Sequence, residues 1–324
     1  MGLIGKGQRL RLGLVVCTLT VLAILLMLNL FGESHVLMSA AQVVLAVHEP
    51  PRTVVSITTF SERIFHMAPC LDSVFSQSQQ PDRIIISIPK TYRKQEKTLC
   101  TISDCVSNTM DYDESPENVL KWFKTYFAAS FNETKHDVFE FPKITVQFLE
   151  KDWGPATKVL GALLLEHDPD TVIITLDDDV YYNSDTVKWL STHIDRQGMA
   201  LSFGCEMWNS QHRNFVAFTT YSISNMFAST PRVCKGWLVG WTAVAHRVSN
   251  FGEDVWTYLN RLPRGCFYND DIWISGYIAR RGVLKVYAPW VLYHAYHQRD
   301  KELSLSTIEG TRERYALPCA RELF

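Results

Sequence analysis

A chain of 324 residues, 47% hydrophobic and 12% aromatic, holds enough apolar material for one large core or two smaller ones, and this composition excludes a disordered or fibrous protein. With 32 Lys and Arg against 34 Asp and Glu the formal charge is -2, so no basic excess argues for a nucleic acid partner.

The first element is LGLVVCTLTVLAILLMLNLF, an uncharged run over residues 12–31. At about 1.5 Å per residue it spans a bilayer core of ~30 Å. A membrane span and a signal peptide are the two readings. The run is long for a cleaved signal, and only Ser39-Ala40-Ala41 offers a small-residue site beyond it, so it is read as a signal anchor. Lys6, Arg9 and Arg11 precede it and Glu33 follows, which makes residues 1–11 a cytosolic tail and places the remainder in a lumen or outside the cell. Residues 32–52 read as a stem ending at the rigid Pro50-Pro51 pair.

Cys17 lies in the anchor; Cys70, Cys100, Cys105, Cys205, Cys234, Cys266 and Cys319 lie on the oxidising side, where disulfides form with at least one thiol left over. Cys100 and Cys105 are near enough to pair with each other or with Cys70. Asn132-Glu133-Thr134 is an N-glycosylation acceptor pattern, in keeping with a lumenal face.

After the stem, strand and helix patterns alternate. TVVSITTF (53–60) and RIIISIP (83–89) are β-branched runs, and Ile64, Met67, Leu71 and Val74-Phe75 between them recur at helical spacing, so the three form a βαβ unit with parallel strands. Residues 91–142 are polar and irregular, with a helix near 116–129, and read as an insertion. KITVQFLE (143–150) is a strand, ATKVLGALLLEH (156–167) a helix, TVIITLDD (171–178) a strand and 184–196 a helix. This alternation predicts an α/β layered fold with ligands beyond the carboxyl ends of the strands. Farther on come LVGWTAVAHR (238–247), DDIWISGYIARRG (270–282) and KVYAPWVLYHAYH (285–297).

Four places carry chemistry. Asp177, Asp178 and Asp179 end a strand built for burial, where adjacent carboxylates repel unless a cation sits among them; Mn2+ or Mg2+ with a diphosphate suits such hard oxygen ligands, and an acidic turn or helix cap is the plain alternative. In DWGPATK (152–158), Gly154-Pro155 forces a turn into a helix whose free amides and Lys158 suit an anion, or which is a plain helix start with a surface lysine. Asp270-Asp271 open a helix carrying Ile272, Trp273, Ile274 and Ile278; they complement its dipole or supply a general base. His294 and His297 end an apolar run, as structural hydrogen bonders or as a metal ligand.

Taken in order, SITTFSER, GPATK, IITLDDDV, KGWLVGWTAVAHR, DDIWISGYIARRG and the late histidines resemble the nucleotide-sugar glycosyltransferases of the GT-A fold, of the family-2-like kind, with a more distant similarity to exostosin-type transferases. The resemblance covers roughly 53–300. It implies a Rossmann-like α/β/α sandwich with a mostly parallel sheet over 53–324, after a single transmembrane helix. It also implies a hexosyl- or N-acetylhexosaminyl-transferase in the Golgi or ER membrane, type II, with its catalytic domain lumenal. Donor contacts fall to Thr58, Thr59, Arg63, Lys158, Asp177 and Asp178, the donor being a nucleotide sugar, a UDP-sugar favoured. Asp177 and Asp179 form the Asp-x-Asp metal pair, with His294 or His297 as the late ligand to Mn2+ or Mg2+. Asp271 matches the catalytic acidic position, beside Asp270 where many relatives have Glu, so the base stays open between the two. Trp237, Gly240 and Trp241 flank a glycan, glycoprotein or glycolipid acceptor, and a helix-borne base implies inversion. The insertion 91–142 departs from the pattern that carries the resemblance.

Two other readings compete. A haloacid-dehalogenase-type phosphohydrolase also uses Asp-x-Asp, but needs its nucleophile on the first strand and Thr or Val where Tyr181 stands. A membrane-anchored carbohydrate-binding protein without turnover would bind donor and transfer nothing.

Overall fold

The computed structural model describes residues 51–90, 92–93, 109–110, 116–127, 132–135, 138–141, 143–194, 198–209, 214–218, 231–288, 296–297 and 315–324. The expected tail and anchor, the stem up to residue 50, Cys100, Cys105 and His294 lie outside the described residues. Among the described residues no helix is long and apolar enough to cross a membrane.

A ten-stranded sheet forms the centre: β1 (Thr53–Thr58), β2 (Arg83–Pro89), β3 (Asn132–Lys135), β4 (Val138–Phe141), β5 (Ile144–Leu149), β6 (Val172–Asp177), β7 (Met199–Ser202), β8 (Arg232–Val233), β9 (Val244–Arg247) and β10 (Leu284–Tyr287). Across the sheet they run β8-β10-β7-β9-β6-β1-β2-β5-β4-β3. Followed through the pairings, only β4, β8 and β9 oppose the direction of β1, so the sheet is mostly parallel. The described α-helices are α1 (Ala68–Phe75), α2 (Pro116–Phe127), α3 (Thr157–Leu163), α4 (Thr186–His193), α5 (Val255–Leu259), α6 (Asp270–Arg280) and α7 (Leu317–Leu323).

The central strands are near-continuous apolar runs, as strands covered on both faces must be. Their two-residue period sorts the side chains. Val55, Ile57, Ile86, Val146 and Ile174 join one core, closed by α1, α2 and α4. Val54, Ile85 and Ile173 face the other way, toward Ala162 of α3. Beside that second face, α6 and α7 bury Trp273, Ile278, Cys319 and Ala320 together. The result is an α/β/α sandwich.

The predicted βαβ unit is present, with β1 and β2 parallel and Val55 opposite Ile84. Its helix divides, however, into a 3-10 turn at Ser61–His66 and α1. Pro69 in the first turn of α1 lacks an amide donor, which ends the preceding turn at Met67.

The segment 91–142, expected to be an irregular insertion, is partly sheet. Its β3 and β4 extend the main sheet as an antiparallel hairpin beyond β5, where Phe139 meets Phe148 edge-on at 5.9 Å. Charged residues in NETK and VFEF mask the alternation in the sequence. Asn132 of the glycosylation pattern opens the edge strand β3.

Among the described residues two disulfides are formed, Cys205–Cys234 and Cys266–Cys319. Cys70, considered above as a partner for Cys100 or Cys105, is a buried free thiol. The second disulfide ties α7 to the 3-10 turn Arg264–Tyr268 that leads into α6. At the opposite, amino edge of the sheet, Glu166 accepts hydrogen bonds from Arg52 and Arg83, the latter at 3.1 Å.

Candidate active site

The acidic triplet stands at the carboxyl edge of the sheet. Thr58 of β1 and Asp177 of β6 are register partners at the ends of their strands, and the chain turns through Asp178 and Asp179 just beyond. The turn is held from below. The Asp177 N–H donates to the Tyr182 hydroxyl at 2.7 Å, and the Cys70 thiol donates to the Asp177 carbonyl at 3.3 Å.

Cationic side chains meet the three carboxylates. Lys158 Nζ lies 2.7 Å from Asp177 Oδ1, and Arg63 Nη2 lies 2.5 Å from Asp178 Oδ1 and 3.0 Å from Asp179 Oδ2. Lys158 also reaches Asp270 Oδ2 at 3.0 Å and is only 4% exposed. One buried ammonium therefore joins the tip of β6 to the first turn of α6, two elements about ninety residues apart in the chain.

The position of Lys158 follows from how α3 lies on the sheet. Gly154 takes φ 62° with its N–H on Asp152 Oδ1 at 2.7 Å, so the predicted turn before the helix is present. The Ser56 hydroxyl donates to the Lys158 carbonyl at 2.5 Å, and Gln147 Nε2 donates to the Gly161 carbonyl at 2.8 Å. A Cβ at Gly161 would run into the Ser87 side chain, so only glycine lets α3 approach this closely. Lys158, expected to face a ligand anion, has carboxylates of its own chain as its partners here.

The second acidic pair divides by environment. Asp270 is 6% exposed and is the counter-ion of Lys158. Asp271 is partly exposed, and its Oδ2 accepts the Gly240 N–H at 2.8 Å. One helical turn on, Ser275 Oγ accepts the Leu238 N–H at 2.9 Å. Residues four apart share a helix face, so Asp271 and Ser275 together clamp the 238–240 backbone onto α6.

These environments shift the titrations. Burial would lower the Lys158 pKa, but Asp177, Asp270 and Asp271 hold it well above its ordinary value. Burial and neighbouring Asp270 push Asp271 well above the usual carboxylate range, against Lys158 and the Gly240 N–H. Burial also pushes Asp178 up to about 6, with Arg63 opposing. A cavity of about 10 Å3, room for about one water, is lined by Lys158, Thr175, His246, Asp270, Asp271 and Ser275 among others.

The remaining expected residues scatter. The Thr58 hydroxyl donates to the Ser87 carbonyl at 2.9 Å, and Thr59 is 3% exposed. Trp237, expected to stack on a sugar, is 3% exposed and packs against Phe324 at 5.9 Å, whereas Trp241 is partly exposed. The short strand Tyr296–His297 pairs with Val180–Tyr181, which sets the His297 backbone opposite the residue after Asp179. Among the described residues no three of His, Cys, Asp and Glu converge as a metal group, and neither the His297 side chain nor His294 is among those described. Sequence reasoning missed Ser56, Ser275 and His246. The first two show only as lone serines on a strand and a helix, and no spacing rule singles them out.

No protein-family model and no curated protein matches the chain. Among solved structures it is similar to Staphylococcus aureus TarS 1-349, at 14% identity and TM-score 0.42, over 74% of this chain and 60% of that one. It is also similar to TarS 1-349 in complex with UDP-GlcNAc, at 15% identity and TM-score 0.31, over 61% of this chain and 46% of that one. A complex of TarS 1-349 with UDP aligns at 12% identity and TM-score 0.36, over 74% and 60%. The chain thus spans at most 60% of the length of these TarS chains.

Proposed function

We propose that this chain is a nucleotide-sugar glycosyltransferase in which Asp271 is the general base. One observation carries the reading: the acidic tip of β6 and the amino end of α6 meet on the buried Lys158, at the sheet edge where α/β folds bind ligands. The two carboxylates of α6 then have separate duties. Asp270 neutralises Lys158, while Asp271 is the one with exposure, a raised pKa and a backbone donor fixing one oxygen.

Asp271 takes the proton of an acceptor hydroxyl as that oxygen bonds to the sugar's anomeric carbon and the bond to the diphosphate breaks. A base with a raised pKa is matched to that proton at neutral pH. Attack from the side opposite the leaving group inverts the anomeric centre. Gly240 and Trp241 form the acceptor side, and Lys158 fixes Asp177 and Asp270 beside the place where the diphosphate leaves. The donor set fits a hard cation: Asp179 is about a quarter exposed and offers carboxylate oxygens, with His297 or His294 as the late ligand. Mn2+ or Mg2+ bound through Asp177 and Asp179 would supply charge neutralisation of the leaving diphosphate.

The two disulfides support an oxidising compartment, and with residues 12–31 as anchor the domain would face the Golgi or ER lumen. β1 carries no aspartate, which removes the nucleophile that the dehalogenase-type phosphohydrolase reading needs.

The test is nucleotide release by the full-length chain from a panel of UDP- and GDP-sugars, with Mn2+ and with EDTA, beside Asp271→Asn. The reading expects metal-dependent release from one donor and a loss of about 10²–10⁴-fold in the variant with donor affinity kept. Donor binding without release in the parent would make the chain a carbohydrate-binding protein, and a product keeping the donor's configuration would remove the base role.

A further inference from the structure

Resting on that reading, we infer that Arg63 is a built-in competitor for the cation at the acidic tip. A single guanidinium nitrogen lies within 3.0 Å of oxygens from both Asp178 and Asp179. Asp179 is the carboxylate assigned to the metal, so a divalent ion bound there sits against a fixed positive charge unless the arginine gives way. Asp178, 7% exposed, is costly to leave unpaired, which is why a counter-ion is kept in place whenever no metal is bound. The Phe60 ring also holds the arginine in this position, since the Arg63 Cζ lies 5.5 Å from the ring centre. Arg63 and Phe60 both lie between β1 and α1, the segment expected to meet the donor. Loading the cation therefore loosens this segment from the acidic turn. Arg63 is a positioning residue: it holds the empty site together and sets how tightly metal binds before a diphosphate arrives.

The experiment is titration of the purified full-length chain with Mn2+ alone, following the signal of free Mn2+ by electron paramagnetic resonance, together with the melting temperature with and without Mn2+. Arg63→Gln is expected to bind Mn2+ at least tenfold more tightly than the parent, to melt lower without the ion and to gain more from it. Phe60→Leu keeps every charge and removes the ring that holds the arginine; it is expected to bind several-fold more tightly, and it serves if Arg63→Gln does not fold. Binding equal to or weaker than the parent's in the folded variants overturns the competition while leaving the metal reading intact. No Mn2+ bound by any of the three proteins overturns both.

Discussion

The Gly240 N–H donates a 2.8 Å hydrogen bond to Asp271 Oδ2, and a Cβ at position 240 would press into the same carboxylate. The absence of a side chain at 240 is thus what lets the backbone hold Asp271 in place. Gly240→Ala is expected to cost about 1–3 kcal/mol in stability, a crowding penalty, while turnover drops on the order of 10²-fold from a misplaced base. Urea unfolding and nucleotide release on the same preparation separate the two. Unchanged turnover in a well-folded variant would show that this hydrogen bond does not position Asp271 for catalysis.

Lys158 pairs with both Asp177 and Asp270, and it is buried. Lys158→Met leaves carboxylates in a low-dielectric site without their counter-ion, and a loss of about 3–5 kcal/mol is expected. Adding Asp270→Asn should recover part of it, because the stranded charge is then gone. A double variant whose loss equals the sum of the singles would mean the two residues are not coupled.

His246 is 3% exposed, and burial together with the Lys158 charge lowers its pKa from 6.5 to about 3. In the folded chain it stays neutral while the unfolded chain protonates below 6.5, so the unfolded state binds more protons and stability falls as pH drops from about 6.5 toward 3. Between pH 7 and 5 the parent should lose about 2 kcal/mol more than His246→Gln, measured by urea unfolding at each pH. Parallel pH profiles for the two proteins would contradict a buried neutral histidine.

The Cys266–Cys319 bridge closes a loop over a sequence separation of 53 and fixes α7 behind the helix that carries Asp270 and Asp271. Cys319→Ala is expected to lower stability by roughly 4 kcal/mol through the freedom returned to the unfolded chain. Its midpoint should fall in denaturant with dithiothreitol making no further difference at this bridge. If the variant unfolds at the parent's midpoint, packing of α7 alone holds the helix.

Much of the fold was legible because it rests on local pattern. β-branched runs such as VIITLD and RIIISIP, separated by helical spacing, specify parallel strands covered on both faces, and the carboxyl edge then follows as the place for Asp177–Asp179. The turn at Gly154 and the start of α6 at Asp270 are equally local, set by one positive φ and one helix boundary. The hairpin of β3 and β4 was not legible, because its charged residues hide a period that only pairing with β5 makes visible.

The site was legible as residues and not as a circuit. Charge alone says that three adjacent aspartates require cations, but Arg63 is more than a hundred residues upstream of Asp178, and Lys158 must bridge strand and helix to reach both its partners. The division of Asp270 from Asp271 is likewise beyond sequence. The two neighbours have identical chemistry, and only the approach of Gly240 on one side and Lys158 on the other makes one a candidate base and the other a counter-ion. Burial and charge partners come from long-range packing, and they decide pKa, so the roles belong to the tertiary structure while the residue types belong to the sequence.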